Sequence, residues 1–359
     1  MALTDDMALY ALGIASRESH PIRLRDLCLN TVQCKFPCTD CSDACPEHID
    51  LHGENTDWSA CTNCNLCVTA CPTGAIRESA ASLQQTLSVA GSDMPSVTIA
   101  CGRYGKPHDI QPSCIAAMPW EEIALIALEK RVILKTSPCR TCPETACAAR
   151  IKETIGTLRR FFGAEEFAAR IMPKDKPAAA DGAPEAGAAQ RSANRRAIVE
   201  STARILKGAG AELGGAERRL PDYRTMLRDA LAAMPEGERP ACSWETLAEN
   251  GSCRACGICV KMCPRNAFAL SLGTGHDSGG ETDSNNVLIH DASLCTQCGL
   301  CYMSCPEGAL EGWETLRTAK LPAEKSFALD ISFCEKCSKP FKKKGGATRC
   351  TACSRFRFA

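Results

Sequence analysis

The stretch Cys61-Thr-Asn-Cys64-Asn-Leu-Cys67-Val-Thr-Ala-Cys71-Pro72 carries four cysteines spaced C-x2-C-x2-C-x3-C, with a proline directly after the last. A near copy lies upstream, from Cys34 to Pro46, and two more runs begin at Cys253 and Cys295. Four runs of this kind, arranged in two pairs, indicate that one local structure is built four times along the chain.

The spacing is typical of a polynuclear iron–sulfur site. In a C-x2-C-x2-C run the backbone turns around one corner of a cubane cluster, so that three sulfurs converge on three irons. The fourth cysteine reaches a second cluster, and the proline suits the first turn of a following helix. Gly257 and Gly299, between the second and third cysteines of the two later runs, provide the permissive backbone that a tight turn needs.

The runs resemble those of the bacterial two-cluster ferredoxins, and Cys71-Pro-Thr-Gly-Ala-Ile76 matches the usual ending in that family. The resemblance implies four [4Fe–4S] clusters, two in an N-terminal module (residues 28–80) and two in a C-terminal module (240–320). In that family the fourth cysteine of each run serves the neighbouring cluster. The implied ligand sets are therefore Cys61, Cys64, Cys67 and Cys45; Cys34, Cys38, Cys41 and Cys71; Cys253, Cys256, Cys259 and Cys305; and Cys295, Cys298, Cys301 and Cys263.

The first run departs from the family pattern. It opens with C-x3-C, and Pro46 is followed by Glu47-His48-Ile49 where a Gly-Ala step is usual. The spacing from Cys34 to Cys41 is also that of the radical-SAM triplet. We reject that alternative because a large α/β barrel would have to follow, whereas the next cluster motif begins at Cys61.

A different cysteine pattern occupies a middle domain (residues 96–172). Ser96–Ala100 and Arg131–Lys135 read as strands, and the apolar spacing of 115–130 predicts a helix between them. Cysteines follow both strands, at the carboxyl ends where open α/β sheets bind ligands. The five cysteines of this domain are Cys101, Cys114, Cys139, Cys142 and Cys147.

The middle domain resembles two known families. Its C-x12-C spacing with a later cysteine pair is similar to the thioredoxin-like [2Fe–2S] ferredoxins, and its strand–helix–strand order is similar to the delta subunit of methyl-viologen-reducing hydrogenases. We predict a [2Fe–2S] cluster at the five cysteines. A zinc site and a redox-active dithiol stay open as alternatives.

The remaining segments are predicted from composition and periodicity. Residues 151–172 have the pattern of an amphipathic helix, and residues 173–192, rich in Ala, Pro and Gly, have that of a flexible linker. A helical segment is predicted over 193–236. The whole therefore belongs to the α+β class, with two ferredoxin-like modules flanking a small α/β domain.

Two C-x2-C pairs close the chain in a C-terminal ribbon (residues 326–359). Cys334 and Cys337 are separated by twelve residues from Cys350 and Cys353. Four thiolates paired in this way predict a zinc ribbon with a tetrahedral metal site. A single rubredoxin-like iron is the alternative.

Composition limits the remaining choices. Lys plus Arg and Asp plus Glu both number 42, so no net charge favours nucleic acid or an anionic membrane. The start Met-Ala-Leu-Thr-Asp-Asp lacks the basic region of a signal peptide, and no apolar run reaches the roughly 18 residues of a membrane span. We therefore expect a cytoplasmic protein whose 27 cysteines stay reduced.

The predicted function follows from the clusters. No nucleophile–base pair, phosphate-binding loop or flavin fingerprint is evident, so no catalytic residue is assigned. We expect an electron-relay subunit of a larger oxidoreductase, with redox proteins as partners. One alternative is a redox enzyme that acts on a disulfide or sulfur substrate at the middle-domain cysteines. The other is an iron–sulfur sensor or interaction protein that uses the ribbon.

Overall fold

The computed structural model describes residues 20–32, 37–52, 56–77, 89, 92–102, 108–143, 145–174, 223–273, 286–342 and 345–355. Cys34, most of the predicted linker and residues 193–222 of the predicted helical segment lie outside these ranges. The chain divides into two compact units, Met1–Pro240 and Ala241–Ala359. Helices and strands occur in both, which agrees with the predicted α+β class.

The N-terminal module is small, and two of its cysteines, Cys41 and Cys67, lie in its core. Strand β1 (Ile22–Arg23) pairs antiparallel with β2 (Ile76–Arg77). The module therefore begins before residue 28, where its N-terminal boundary was predicted. The short helices are α1 (Leu29–Val32), α2 (Asp40–Asp43) and α3 (Leu66–Ala70). Its buried cluster consists of Cys41, Ile49, Leu51, Cys67, Val68 and Ile76.

The middle domain is built on a parallel three-stranded sheet in the order β3–β4–β5. The strands are β3 (Ser96–Ala100), β4 (Arg131–Lys135) and β5 (Ile171–Lys174). Helix α4 (Trp120–Glu129) connects β3 to β4, and α5 (Thr145–Phe162) and α6 (Ala164–Arg170) connect β4 to β5. Both predicted strands are confirmed. The helix expected over 115–130 is present but begins only at Trp120, after a 3-10 turn at Ile115–Ala117.

The region after β4 corrects two predictions. The expected helix over 151–172 is two helices and a strand, because Gly163, at φ 84°, separates α5 from α6. The expected linker does not begin at Pro173, since β5 pairs in register with β4 as far as Lys174. A four-residue edge strand has no periodicity of its own, so only its pairing with β4 reveals it.

Helix α7 (Tyr223–Ala233) belongs with the middle domain. It packs on α4, where Arg224 forms an ion pair with Glu121 at 3.6 Å and its guanidinium lies over the Trp120 ring. The predicted helical segment thus ends as part of the first unit.

The second unit begins with the C-terminal module. Strand β6 (Cys242–Glu249) pairs antiparallel with β9 (Leu310–Thr318), and a second antiparallel sheet has the order β10–β8–β7. Its strands are β7 (Phe268–Ser271), β8 (Val287–Asp291) and β10 (Glu324–Ala328), and the module's helices are α8 (Ile258–Met262) and α9 (Leu300–Met303). The prediction assigned Ser326–Ala328 to the ribbon. That prediction is wrong, because β10 pairs with β8 and these residues therefore belong to the C-terminal module.

The ribbon itself starts after β10. Strands β11 (Ile331–Phe333) and β12 (Pro340–Lys342) form an antiparallel hairpin, and α10 (Thr351–Arg355) follows the second cysteine pair. Among the described residues of the whole chain, no helix is long and apolar enough to cross a membrane.

Candidate metal centres

Three of the four cysteine runs wrap their first cysteines in the same way. The residues before and after the second cysteine both have a left-handed backbone, with φ between 55° and 73°. Two consecutive reversals of this kind turn the chain tightly enough for three thiols to face one point. The residues are Asn63 and Asn65, Ala255 and Gly257, and Gln297 and Gly299.

All four runs end in the same turn. Three residues after the fourth cysteine, the backbone is again left-handed, and its N–H donates to that cysteine's carbonyl over 3.1–3.2 Å. The residues at this position are His48, Gly74, Asn266 and Gly308. In three runs the next N–H, of Ala75, Ala267 or Ala309, donates to the cysteine sulfur over 3.1–3.3 Å. Such N–H groups stabilise negative charge on the sulfur.

The C-terminal module brings its eight cysteines together in two sets. One cavity is lined by the thiols of Cys253, Cys256, Cys259 and Cys305. A second cavity is lined by those of Cys263, Cys295, Cys298 and Cys301. In each set, three thiols come from one run and the fourth from the other run.

The N-terminal module shows the same exchange between runs. Burial raises the pKa of Cys64, and Cys45 and Cys61 are neighbours whose charge adds to this effect. Burial also raises the pKa of Cys41 to about 11, with Cys71 and Cys38 as the next contributors. Cys45 is therefore near Cys64 of the second run, and Cys71 is near Cys41 of the first run, as the predicted exchange requires.

The first run differs from the others at its start. Thr39, which follows Cys38, has φ −118° where the other runs have a left-handed residue. Helix α2 nevertheless begins one residue before Cys41, as α3 begins one residue before Cys67. A further buried cysteine, Cys28, lies near enough to Cys41 for its charge to raise the Cys41 pKa.

Buried thiols resist ionisation in the absence of a cation. Burial, followed by the charge of neighbouring thiols, raises the pKa values of Cys67 and Cys259 to about 12. Only the thiolate is a metal ligand, so metal binding must displace these protons. The sites therefore suit a group that supplies several positive charges to closely spaced thiols.

All five cysteines of the middle domain line one cavity of about 110 Å³. Cys101 follows β3, Cys114 precedes a 3-10 turn at Ile115–Ala117, and Cys139 lies in a second such turn after β4. A hydrogen bond with Cys114 and then burial raise the pKa of Cys147 well above its usual range. The set satisfies the thiol requirement of a four-cysteine iron–sulfur site, with one cysteine in excess.

The ribbon holds the tightest cysteine group among the described residues. The sulfurs of Cys334, Cys337, Cys350 and Cys353 all lie within 4.8 Å of one another. Four thiolates about 2.3 Å from a tetrahedral metal ion would be about 3.8 Å apart, and Cys337 and Cys350 Sγ are 3.8 Å apart. Backbone N–H groups, that of Cys350 foremost, lower the pKa of Cys334 to about 6 and so favour a thiolate there.

Comparison with known proteins addresses the ferredoxin-like modules. The 4Fe-4S dicluster domain family matches residues 252–309, and the 4Fe-4S binding domain family matches residues 55–77. The chain carries 4Fe-4S ferredoxin-type domains. These domains support an iron–sulfur electron-transfer role. No curated protein and no solved structure matches the chain.

Sequence reasoning missed two features of these sites. It placed Cys64 only among the ligands of the N-terminal module, whereas Cys64 also lines the middle-domain cavity. It also assigned no role to His52, whose ring nitrogen Nε2 lies 3.5 Å from Cys41 Sγ. Neither contact has a local sequence signal, because each joins residues of different segments.

Proposed function

We propose that the chain is an electron-relay protein with four [4Fe–4S] clusters, a [2Fe–2S] cluster in the middle domain and a structural zinc ion in the ribbon. It works as a subunit or partner of a larger oxidoreductase. A bound [4Fe–4S] cluster accepts and returns single electrons. The observation that carries the proposal is the pair of cavities in the C-terminal module, each lined by three thiols of one run and the fourth of the other.

The residues around these thiols suit electron transfer better than substrate chemistry. Backbone N–H groups face the sulfurs of Cys71, Cys263 and Cys305, where they would stabilise the charge of a reduced cluster. Cys301, which is 7% exposed, lies within the module's apolar core, so most of the cluster it would bind is shielded from water. Such shielding limits the reorganisation of solvent when one electron arrives.

The middle-domain cluster and the zinc ion are supported by the cysteine sets themselves. Five thiols around one cavity exceed what a structural role for separate cysteines requires. In the ribbon, the Sγ spacing agrees with a closed tetrahedral site, the usual arrangement of structural zinc. A single iron in the same four thiolates is the alternative that metal analysis distinguishes.

Metal analysis after anaerobic purification tests the proposal. Four cubanes and one [2Fe–2S] cluster hold about eighteen irons per chain, with matching sulfide, and EPR of the reduced protein should resolve both cluster types. The ribbon adds about one zinc. A fully reconstituted preparation with about eight irons or fewer would overturn the four-cubane assignment.

A second candidate function is reduction of a disulfide or other oxidised sulfur substrate at Cys139 and Cys142. The observation in its favour is that both are partly exposed, whereas Cys101 and Cys147 of the same cavity are buried. Reducing a disulfide consumes two electrons and two protons and yields two thiols, and the clusters would deliver the electrons singly. Alkylation of both cysteines after anaerobic reduction would favour this function, whereas protection of both by bound iron would exclude it.

A further inference from the structure

A sixth cysteine, from outside the middle domain, lines the middle-domain cavity. Cys64 belongs to the second run of the N-terminal module, and its neighbours Thr62 and Asn63 line the same cavity. Cys64 thus lies beside both the predicted cubane ligands and the middle-domain thiols.

The contact between the two regions is held by a specific hydrogen bond. Thr69, on α3, shares its Oγ1 hydroxyl proton between the carbonyl oxygens of Ala116, at 3.1 Å, and of Leu66, at 3.2 Å. Ala116 is fully buried and lies in the turn that directly follows Cys114. Because α3 also begins beside Cys67, this bond sets the position of the second run against the middle-domain cysteines.

We propose that Cys64 is the point at which single electrons pass between the N-terminal module and the middle domain. This inference rests on the proposed function, since it requires iron–sulfur centres on both sides of Cys64. In each transfer, one centre is oxidised and the other reduced by one electron, and no bond is made or broken. Electron transfer slows steeply with distance, so a ligand that borders both sites provides the shortest connection.

EPR of the reduced full chain tests this connection. We expect spin–spin interaction, seen as broadening and faster relaxation, between the cubane that includes Cys64 and the middle-domain centre. The double variant Cys114→Ala, Cys142→Ala should lose about two irons and leave a sharper cubane signal. Cys242→Ala, a buried cysteine outside every cysteine group, is the matched control and should retain the interaction.

The outcomes separate the two claims. If the double variant loses no iron, the middle-domain cluster of the proposed function is wrong. If it loses iron but the cubane relaxation is the same as in the unaltered protein, the centre exists and the connection through Cys64 is wrong.

A second inference rests on a separate set of hydrogen bonds in the N-terminal module. The Asn30 side chain accepts the Cys38 N–H through Oδ1 at 2.7 Å and donates Nδ2–H to the Cys38 carbonyl at 2.9 Å. Nδ2 also lies 2.9 Å from His52 Nδ1, and His52 Nε2 lies 3.5 Å from Cys41 Sγ. Asn30 thereby links the backbone of one predicted ligand to a histidine that faces another.

These contacts define the histidine tautomer. Since Asn30 Oδ1 faces the Cys38 N–H, the amide nitrogen must face His52, and Nδ1 of the imidazole must accept its hydrogen. The ring proton is then on Nε2 and is directed at the Cys41 sulfur. On the neighbouring ligand, the Asp40 carboxylate lies 3.7 Å from Cys38 Sγ and brings negative charge to the same site.

We infer that His52 and Asp40 set the reduction potential of the cluster bound by Cys38, Cys41 and Cys71, in opposite directions. The inference depends on the proposed [4Fe–4S] site. A hydrogen bond to a ligand sulfur stabilises the more negative reduced state and raises the potential, whereas a nearby carboxylate destabilises that state and lowers it. Both are positioning residues that act through ligand sulfurs.

Redox titration followed by EPR provides the test. His52→Leu should shift one of the low-potential features to more negative values, and Asp40→Asn should shift the same feature to more positive values. His52→Gln, which keeps an N–H donor, should give a smaller shift. Glu47→Gln is the matched control for Asp40→Asn, because Glu47 is an exposed carboxylate of the same module.

A spectroscopic signature distinguishes hydrogen bonding from a loss of structure. The exchangeable-proton coupling seen by ENDOR should weaken in His52→Leu while iron content stays unchanged. Unchanged potentials and couplings in that variant, at full iron content, would refute the inference. Loss of about four irons in every Cys38 or Cys41 variant tests the cluster itself, and retention there would refute the proposed site.

Discussion

Three of the cysteine runs reverse the backbone on both sides of their second cysteine, and the run from Cys34 to Cys45 does not. In the three regular runs the residue after that cysteine is Asn65, Gly257 or Gly299, all left-handed. In the first run it is Thr39, with φ −118°. A β-branched residue avoids the left-handed region, whereas Gly and Asn enter it at little cost. The residue type directly after the second cysteine therefore accounts for the different backbone conformations at the start of the runs.

The left-handed turn at the end of each run shows no such difference. His48 takes the left-handed turn that Gly74 and Gly308 take, and Cys45 lies with the second run as Cys71 lies with the first. The exchange of the fourth cysteine between runs thus does not depend on a regular wrap at the start. Variants that affect the two parts separately can test this comparison.

The largest effect is expected from removing a ligand of a regular run. Cys259→Ala should cost about four irons per chain and one cubane EPR signal, since Cys259 is enclosed with Cys253, Cys256 and Cys305 in one cavity. Cys242→Ala, buried in β6, should retain all the iron. Full iron content in Cys259→Ala would break the ligand assignment of the regular runs.

An equally large loss of iron is expected when the first cysteine of the irregular run, Cys34, is removed. That result would extend the ligand assignment to this run. Cys34→Ala should cost about four irons, and Cys28→Ala should cost none, because the C-x3-C spacing places Cys34 four residues before Cys38, whereas Cys28 lies outside the run. Iron and sulfide analysis of both variants decides the point. The reverse result would make Cys28, which lies near Cys41, the ligand in place of Cys34.

The ribbon provides a metal site outside the four runs. The expected loss of metal is smaller here, because the site holds a single ion. Cys337→Ser should remove about one zinc per chain, because its sulfur is part of the four-cysteine group. Iron content and the cubane EPR signals should be unchanged. If the variant instead loses one iron and no zinc, the ribbon holds the rubredoxin-like iron.

The smallest effect concerns the left-handed positions themselves. Gly299 has φ 73° and the nearest atom to an added Cβ would be 3.9 Å away, so Gly299→Ala meets backbone strain and no clash. We expect a loss of about 1 kcal/mol in anaerobic unfolding. Gly299→Asn should lose less, since Asn65 occupies the same position in the N-terminal module. Gly237→Ala, where no left-handed φ is needed, is the control; equal losses in all three would refute the role of the left-handed turn.

Local features of this protein were predictable from its sequence. The strands over Ser96–Ala100 and Arg131–Lys135 form as predicted, because buried Val97 and Ile99 alternate with less buried residues in β3, as Val132 and Leu134 do in β4. A helix also forms between them, because apolar residues recur there at helical spacing. Short-range sterics and periodicity determine all of these features.

Sequence patterns alone did not reveal strand β5, nor that β10 belongs to the C-terminal module. Both are short strands whose assignment depends on a partner distant in the chain, β4 and β8 respectively. Strand propensity is weak over four or five residues, so pairing decides where such elements begin and end.

By itself, the sequence determined the chemistry of the cysteine runs, through the spacing of thiols that a cluster requires and the residues that permit a tight turn. Only the tertiary structure decided that Cys64 meets the five middle-domain cysteines and that His52 meets Cys41. Such proximities depend on contacts between distant segments, such as the hydrogen bond between Thr69 and Ala116, which are 47 residues apart. The free energy of such contacts comes from packing the whole unit, and no local pattern specifies it.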